Sequence, residues 1–238
     1  MDNIPIPSQQ EEKSSPGVWV FIIFIGMVGG FLLIFSIPLW APGIIASINS
    51  PEPKMFWYLS RATAILSYAA LWLSTFMGLV LSTRLAAQLR KVRTISNFHQ
   101  ALSVFGIVMA AAHGLLLIGD HYLAPTILQI LVPFAMQSYR PQWVGLGQIS
   151  IYIWGIVLFS TVIQRLIGGK LWRGIHYLGF LAFALGLVHG ITSGTDSGTD
   201  WAFYYYWVTG GIILFLLTFR ILSAIFQLNR KTTPQNAS

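Results

Sequence analysis

Long apolar segments, separated by short polar or proline-containing stretches, follow one another along most of this chain. An α-helix rises about 1.5 Å per residue, so roughly 20 apolar residues cross the hydrocarbon core of a bilayer. The pattern predicts an all-α protein, a bundle of six transmembrane helices. The predicted spans are Val18 to Leu39, Phe56 to Ser82, Ile95 to Ile118, Gly145 to Ile167, Gly174 to Ile191 and Phe203 to Phe226.

The segments outside the spans are polar or short. Residues 1–17 carry too few apolar side chains to fold alone and are predicted to be a disordered tail. A six-span domain is predicted over residues 18–228, followed by a second tail over residues 229–238. The run from Leu128 to Met136 is too short for a span and contains Pro133, so it is predicted to be an interfacial helix or a re-entrant segment.

Basic residues are sorted by membrane side on this topology. Lys54 and Arg140 fall on one side, and Arg61 falls inside the second span. The positive-inside rule makes the opposite, basic side cytoplasmic, with both termini on it. The residues on that side are Lys13, Arg84, Arg90, Lys91, Arg93, Arg165, Lys170, Arg173, Arg220, Arg230 and Lys231.

Composition supports a membrane protein and excludes some chemistry. The chain is 55% hydrophobic and 9% charged, with a mean hydropathy of +0.68, which is too apolar for a soluble domain. It has no cysteine, so disulfides, thioether-attached haem and iron–sulfur clusters are excluded. The net charge of +7 could suggest a nucleic-acid partner. The basic residues are explained by their place on one side of the membrane, however, so no nucleic-acid partner is predicted.

The third predicted span carries two histidines, His99 and His113. Their separation of fourteen residues leaves them about 40° apart around a helix and about 21 Å apart along it. Between them on that face lie Ser103, Gly106 and Ala110, which leave room for a flat macrocycle. The third span thus offers one histidine near each membrane face.

The fifth predicted span carries His176 and His189. On this topology His99 is level with His176 and His113 with His189, so each level has two imidazoles, the ligand set of two six-coordinate b-type haems. Thirteen residues leave His189 about 140° short of alignment with His176, unless Gly179 or Gly186 permits a bend or a π-bulge. Histidines that only donate interhelical hydrogen bonds are the alternative.

These residues resemble a known family. Six spans with His99-x13-His113 and His176-x12-His189 are similar to the ferric reductase-like transmembrane domain, over roughly Phe56 to Phe226. The superfamily includes ferric reductases, NADPH oxidases and a bacterial haem subunit that serves a methionine-sulfoxide reductase. The resemblance implies two haems stacked across the membrane, which pass electrons from a cytoplasmic flavin outward. Arg61 resembles an arginine near the outer haem, and a snorkelling arginine is its alternative.

The sequence departs from the family pattern in two places. Twelve residues of the sequence follow Phe226 and no GxGxxG motif occurs, so we expect no flavin- or nicotinamide-binding domain on this chain, a separate flavoprotein as the donor, and flavin only through that partner. Leu117 stands where NADPH oxidases have a further histidine, so oxygen reduction is not the expected activity. His121, beside Asp120, is expected to face solvent, with an acceptor or metal contact as its alternative.

The expected function is that of a di-haem b-type cytochrome, the membrane subunit of a ferric reductase-like system. The cofactor-binding residues would be His99, His113, His176, His189 and Arg61. A non-redox scaffold or accessory subunit of a larger membrane complex is the alternative. A proton-relay transporter ranks last, because none of the seven acidic residues lies inside a predicted span.

Overall fold

The computed structural model describes residues 54–82 and 92–232, with side chains through Ile225. Five described helices are long and apolar enough to cross a membrane, and the described residues contain no strand. The all-α, multi-pass prediction is therefore confirmed for this part of the chain. The predicted first span, Val18 to Leu39, and the tail over residues 1–17 lie outside the described residues.

Six α-helices make up the described chain. Four of the five long helices begin and end within six residues of predicted spans, and α5 begins ten residues earlier than predicted. A short 3-10 turn, Leu117–Gly119, follows α2. The helices are α1 Met55–Leu81, α2 Val92–Leu116, α3 Ile127–Leu131, α4 Pro141–Val162, α5 Gln164–Ser193 and α6 Asp200–Thr232.

The long helices pack mainly as two antiparallel pairs. Helix α2 lies along α1, and α5 lies along α4, whereas α2 and α5 make few direct contacts. Helix α6 packs against α1 and α5. The core between these helices is formed by a cluster of buried apolar side chains: Tyr68, Leu71, Leu79, Trp154, Ala182, Phe183 and Ile213.

Buried hydroxyl groups in this core are satisfied by neighbouring helices. Ser67 donates to the Gly106 carbonyl over 2.9 Å, which joins α1 to α2. Ser150 donates to the Ala182 carbonyl over 2.7 Å, which joins α4 to α5. A hydroxyl group that is buried in a bilayer core without a hydrogen bond costs free energy. These bonds avoid that cost and connect each helix to its neighbour.

The connection between α2 and α4 contains only a short helix. Thr126 and Gln129 form a capping box at the start of α3. The Gln148 amide on α4 donates to the carbonyls of Gln129 and Ile130 over 2.7 and 2.6 Å, which holds α3 against α4. The five-residue α3 is too short to span a bilayer, so the prediction that Leu128 to Met136 is not a span is confirmed.

Four predicted boundaries were wrong by four residues or more: both ends of α4, the start of α5 and the end of α6. Helix α4 begins at Pro141 instead of Gly145, because proline suits the first helical position. The following break lies at Ile163, and α5 has a second interruption at Gly168, whose φ of 78° favours glycine. The start of α5 was not predicted from hydropathy, because its first turns contain the basic residues Arg165, Lys170 and Arg173. Helix α6 extends past Phe226 to Thr232.

Candidate functional site: two histidine pairs

The four span histidines lie in two pairs, each with one member on α2 and one on α5. In the first, called the 99/176 pair, the ring centres of His99 and His176 are 5.9 Å apart and the ring planes meet at 65°. In the second, called the 113/189 pair, the centres of His113 and His189 are 6.4 Å apart and the planes meet at 64°. The structure thus brings together the histidines that the topology argument placed at common levels.

These separations fit two imidazoles on one metal ion. A metal–imidazole bond is about 2 Å long and the ring centre lies roughly 1 Å beyond the nitrogen, so two rings on opposite sides of one ion have centres about 6 Å apart. Aromatic rings that simply touch also have centres about 4.5–7 Å apart. The direction of the ring nitrogens therefore carries more information than the separation.

Three of the four rings have Nδ1 beside a main-chain carbonyl of a neighbouring helix. His99 Nδ1 is 2.8 Å from the Ser74 oxygen, and His113 Nδ1 is 2.9 Å from the Ser60 oxygen. His189 Nδ1 is 2.9 Å from the Trp143 oxygen on α4. Because a carbonyl only accepts, Nδ1 carries the proton and donates, which leaves Nε2 with a free lone pair. Metal-bound histidines commonly have this arrangement.

The serine hydroxyls repeat the same arrangement at both levels. Ser60 donates to the His113 carbonyl over 3.1 Å, and Ser74 donates to the His99 carbonyl over 3.2 Å. The serines are fourteen residues apart on α1, as the histidines are on α2. Since the two helices are antiparallel, one spacing serves both levels. The two serines were not predicted as part of the site, although their equal spacing is visible in the sequence.

His176 differs from the other three histidines. Its Nδ1 is buried and has no hydrogen-bond partner among the described residues. Its ring lies beside the indole of Trp172, one turn earlier on α5, with centres 5.0 Å apart. His189 instead points to α4, where its Nδ1 donates to Trp143. The two α5 histidines therefore differ in the partner of Nδ1: His189 has a carbonyl of α4, and His176 has none among the described residues.

Both α5 histidines pair with α2 in spite of the expected 140° offset. All residues of α5 after Gly168 are helical, and neither Gly179 nor Gly186 forms a π-bulge. Of the two possibilities that the sequence left open, a bend or a π-bulge at these glycines, the π-bulge is absent.

Glycines provide the space for two of the rings. A Cβ atom at Gly147 on α4 would lie 2.6 Å from Cγ and Nδ1 of His189, closer than real side chains approach. A Cβ atom at Gly78 on α1 would lie 3.3 Å from Cε1 of His99. The His189 ring thus packs directly on the α4 backbone, and this role of Gly147 was not predicted from the sequence.

A cavity of about 510 Å³ opens beside the 113/189 pair, and both histidines line it. Its size is within the range of roughly 300–1,000 Å³ that is usual for cofactor sites. Aromatic and apolar side chains form most of its wall, including Leu117 in the turn after α2, Trp154 on α4 and Tyr206 on α6. The lone pairs of two imidazoles, a sizeable apolar cavity and the gap between α2 and α5 fit a flat macrocycle that carries a metal.

Arg61 lies at the edge of the same cavity and forms an ion pair. Its Nε donates to Asp196 Oδ2 over 2.9 Å, and a second guanidinium nitrogen contacts Asp196 Oδ1. The guanidinium carbon also lies 4.2 Å from the centre of the Trp57 ring. Arg61 therefore lines the cavity, and a carboxylate of the protein holds it there; its predicted place near a haem stays a prediction.

His121 does not join either pair. Its side chain is exposed, whereas the neighbouring Asp120 is buried and accepts a bond from the Leu123 amide over 3.1 Å. Among the described residues no three or more histidine, cysteine or acidic side chains form a metal-binding cluster. A haem iron takes only two side chains from the protein, which is the number that each pair supplies.

The fold and the site define a class of protein: a multi-pass helical membrane protein with two histidine pairs, each shared between α2 and α5. Residues 55–196 match a family described as a domain of unknown function (DUF8596). The match covers more than half of the 238 residues, so the chain belongs to this family. Comparisons with curated proteins and with solved structures found no match.

Proposed function

We propose that this protein is a b-type cytochrome that holds two haems and moves electrons across the membrane. The observation that carries the proposal is the paired geometry of the histidines. Ring centres 5.9 and 6.4 Å apart suit two axial ligands on one iron, and three of the four rings donate Nδ1–H to a carbonyl, so that Nε2 is available. Such a hydrogen bond fixes the ring and raises its basicity as a ligand.

The residues of the chain would position each cofactor between the two helix pairs. His99 and His176 would hold one haem, and His113 and His189 the other, while haem iron itself supplies the one-electron chemistry. Ser60 and Ser74 keep the α2 histidines oriented. Two imidazoles on each iron would leave no coordination position for a small molecule, which suits electron transfer better than oxygen binding.

The basic end of the bundle supports the proposed orientation. Arg93 at the start of α2 and Lys170 and Arg173 early in α5 are exposed at the same end as the 99/176 pair. By the positive-inside rule this end would be cytoplasmic, and the 113/189 pair would lie toward the outer face. We propose that a separate flavoprotein docks here and reduces the 99/176 haem first. The predicted contributions of Arg84, Arg90 and Lys91 to this docking surface lie outside the described residues.

Haem content tests the proposal. Purified protein should give a pyridine haemochrome spectrum that corresponds to two b-type haems per chain. His121→Ala is the matched control, because His121 is exposed and outside both pairs, and it should keep both haems. One haem or none in the parent protein would refute the di-haem proposal and favour the alternative, a membrane scaffold whose histidines only connect helices.

A further inference from the structure

The charges that line the cavity beside the 113/189 pair come from two residues. Among its described lining residues, Arg61 is the only basic side chain other than the histidines and Asp196 is the only acidic one. They form one ion pair, with side chains that are 29% and 22% exposed. The cavity wall therefore has opposite charges that cancel, although Arg61 alone would make it positive.

Arg61 is fixed on two sides. Asp196 takes the Nε edge of the guanidinium, and the indole of Trp57 covers one of its faces. Two N–H groups in a planar fork match the two oxygens of a carboxylate, so this contact sets the direction of the guanidinium as well as its charge. A lone arginine on a flexible side chain would have no such fixed position.

Asp196 is itself held in a structured turn between α5 and α6. The Thr199 amide donates to the Asp196 carbonyl over 2.8 Å, and Ser197 donates to the Gly190 carbonyl over 2.9 Å. The turn is thus anchored to the end of α5, the helix that carries His189. The position of the carboxylate relative to the 113/189 pair is determined by the fold.

We propose that Asp196 is a positioning residue that orients Arg61, cancels its charge beside the 113/189 pair, and thereby lowers the midpoint potential of the haem held there. The inference rests on the proposed function. Reduction adds an electron to the haem, so a nearby negative charge disfavours the reduced form and a nearby positive charge favours it. Asp196 and Arg61 act in opposite directions, and the sum of the two sets the local field.

Redox titration of four variants tests the proposed role of Asp196. Asp196→Asn leaves Arg61 uncompensated, so the midpoint potential of the 113/189 haem should rise. Arg61→Gln leaves Asp196 uncompensated, so the same potential should fall. The double variant has no net charge at this place, and its potential should return toward that of the parent. Asp200→Asn, an exposed acidic residue four positions further on, is the matched control and should shift neither haem.

The 99/176 haem serves as an internal reference. It lies about 21 Å from the 113/189 level by helix rise, so its potential should stay close to the parent value in every variant. A purely structural role for Asp196 predicts loss of haem, or equal shifts of both potentials, and no recovery in the double variant. Either result, or single-variant shifts of the same sign, overturns the inference.

The experiment separates this inference from the proposed function. Absence of haem in the parent protein refutes the proposed function itself. Two haems in the parent with an unmoved 113/189 potential in Asp196→Asn refute only the role of Asp196. Arg61→Lys adds a check on orientation, because it keeps the charge but loses the planar fork, and it should shift the potential less than Arg61→Gln.

Discussion

Substitution of Gly147 by alanine tests the close packing of His189 on α4. The new Cβ atom would lie 2.6 Å from Cγ and Nδ1 of His189, whereas non-bonded carbon atoms prefer about 3.5–4.0 Å. The imidazole would therefore have to retreat by about 1 Å. That movement would stretch its 2.9 Å bond to the Trp143 carbonyl beyond the usual hydrogen-bond range.

The expected change in the free energy of unfolding is the sum of two destabilising effects and one stabilising effect. Overpacking of a well-filled site costs about 1–3 kcal/mol. Loss of one hydrogen bond costs about 1 kcal/mol more. Alanine gains about 1 kcal/mol over glycine from its higher helix propensity. Gly147→Ala should thus destabilise the protein by about 1–3 kcal/mol and remove the 113/189 haem, while the 99/176 haem remains.

Gly155→Ala on the same helix is the control. A Cβ atom there would meet only Cδ1 of Ile107 at 3.7 Å, which is an ordinary contact. This variant should be as stable as the parent, or up to about 1 kcal/mol more stable, with both haems present. Thermal unfolding in detergent, followed by circular dichroism, and the haem content per chain provide the two measurements. If Gly147→Ala matches Gly155→Ala in both, His189 does not pack on Gly147 as described.

Three further predictions concern the histidine pairs, the Ser60 hydroxyl and the electron donor. Alanine in place of either member of the 99/176 pair should remove one spectral haem component, and alanine in the 113/189 pair should remove the other; loss of the same component in all four variants would contradict the two levels. Ser60→Ala should keep its haem but lower stability by about 1–2 kcal/mol, because the carbonyl that accepts from His113 remains while one buried hydroxyl bond is lost. The isolated chain should not oxidise NADH or NADPH, and reduction by its flavoprotein should slow as salt rises, since screening lengths are about 8 Å at physiological ionic strength; fast nicotinamide oxidation by the chain alone would disprove the need for a partner.

The parts of the fold that follow from hydrophobicity were predictable from the sequence. The five described long helices and the short α3 follow from the lengths of apolar runs, because a bilayer requires about 20 apolar residues per span. The starts of α4 and α5 were missed for a clear reason. Both begin with residues outside the apolar run, and hydropathy detects the membrane-embedded part of a helix, not its full length.

The candidate site was predictable only in part. The pairing of levels followed from helix direction, since α2 and α5 both run the same way across the bundle. The partners of the rings did not follow, because the Trp143 carbonyl is a backbone group and carries no signal in the sequence. Asp196 was missed because it lies 135 residues after Arg61, in a turn outside any span. Haem binding itself stays a prediction.

The matched spacing of serines on α1 and histidines on α2 fixes the register of the two helices along each other. Ser60 meets His113 and Ser74 meets His99 through the same set of contacts, fourteen residues apart on each helix. If either helix slid along the other by one residue, both sets of contacts would break together. The distance between the two levels is therefore set by the helix rise, at about 21 Å, and does not depend on the lengths of the loops. A single-residue insertion between the two serines, or between the two histidines, would leave at most one level intact.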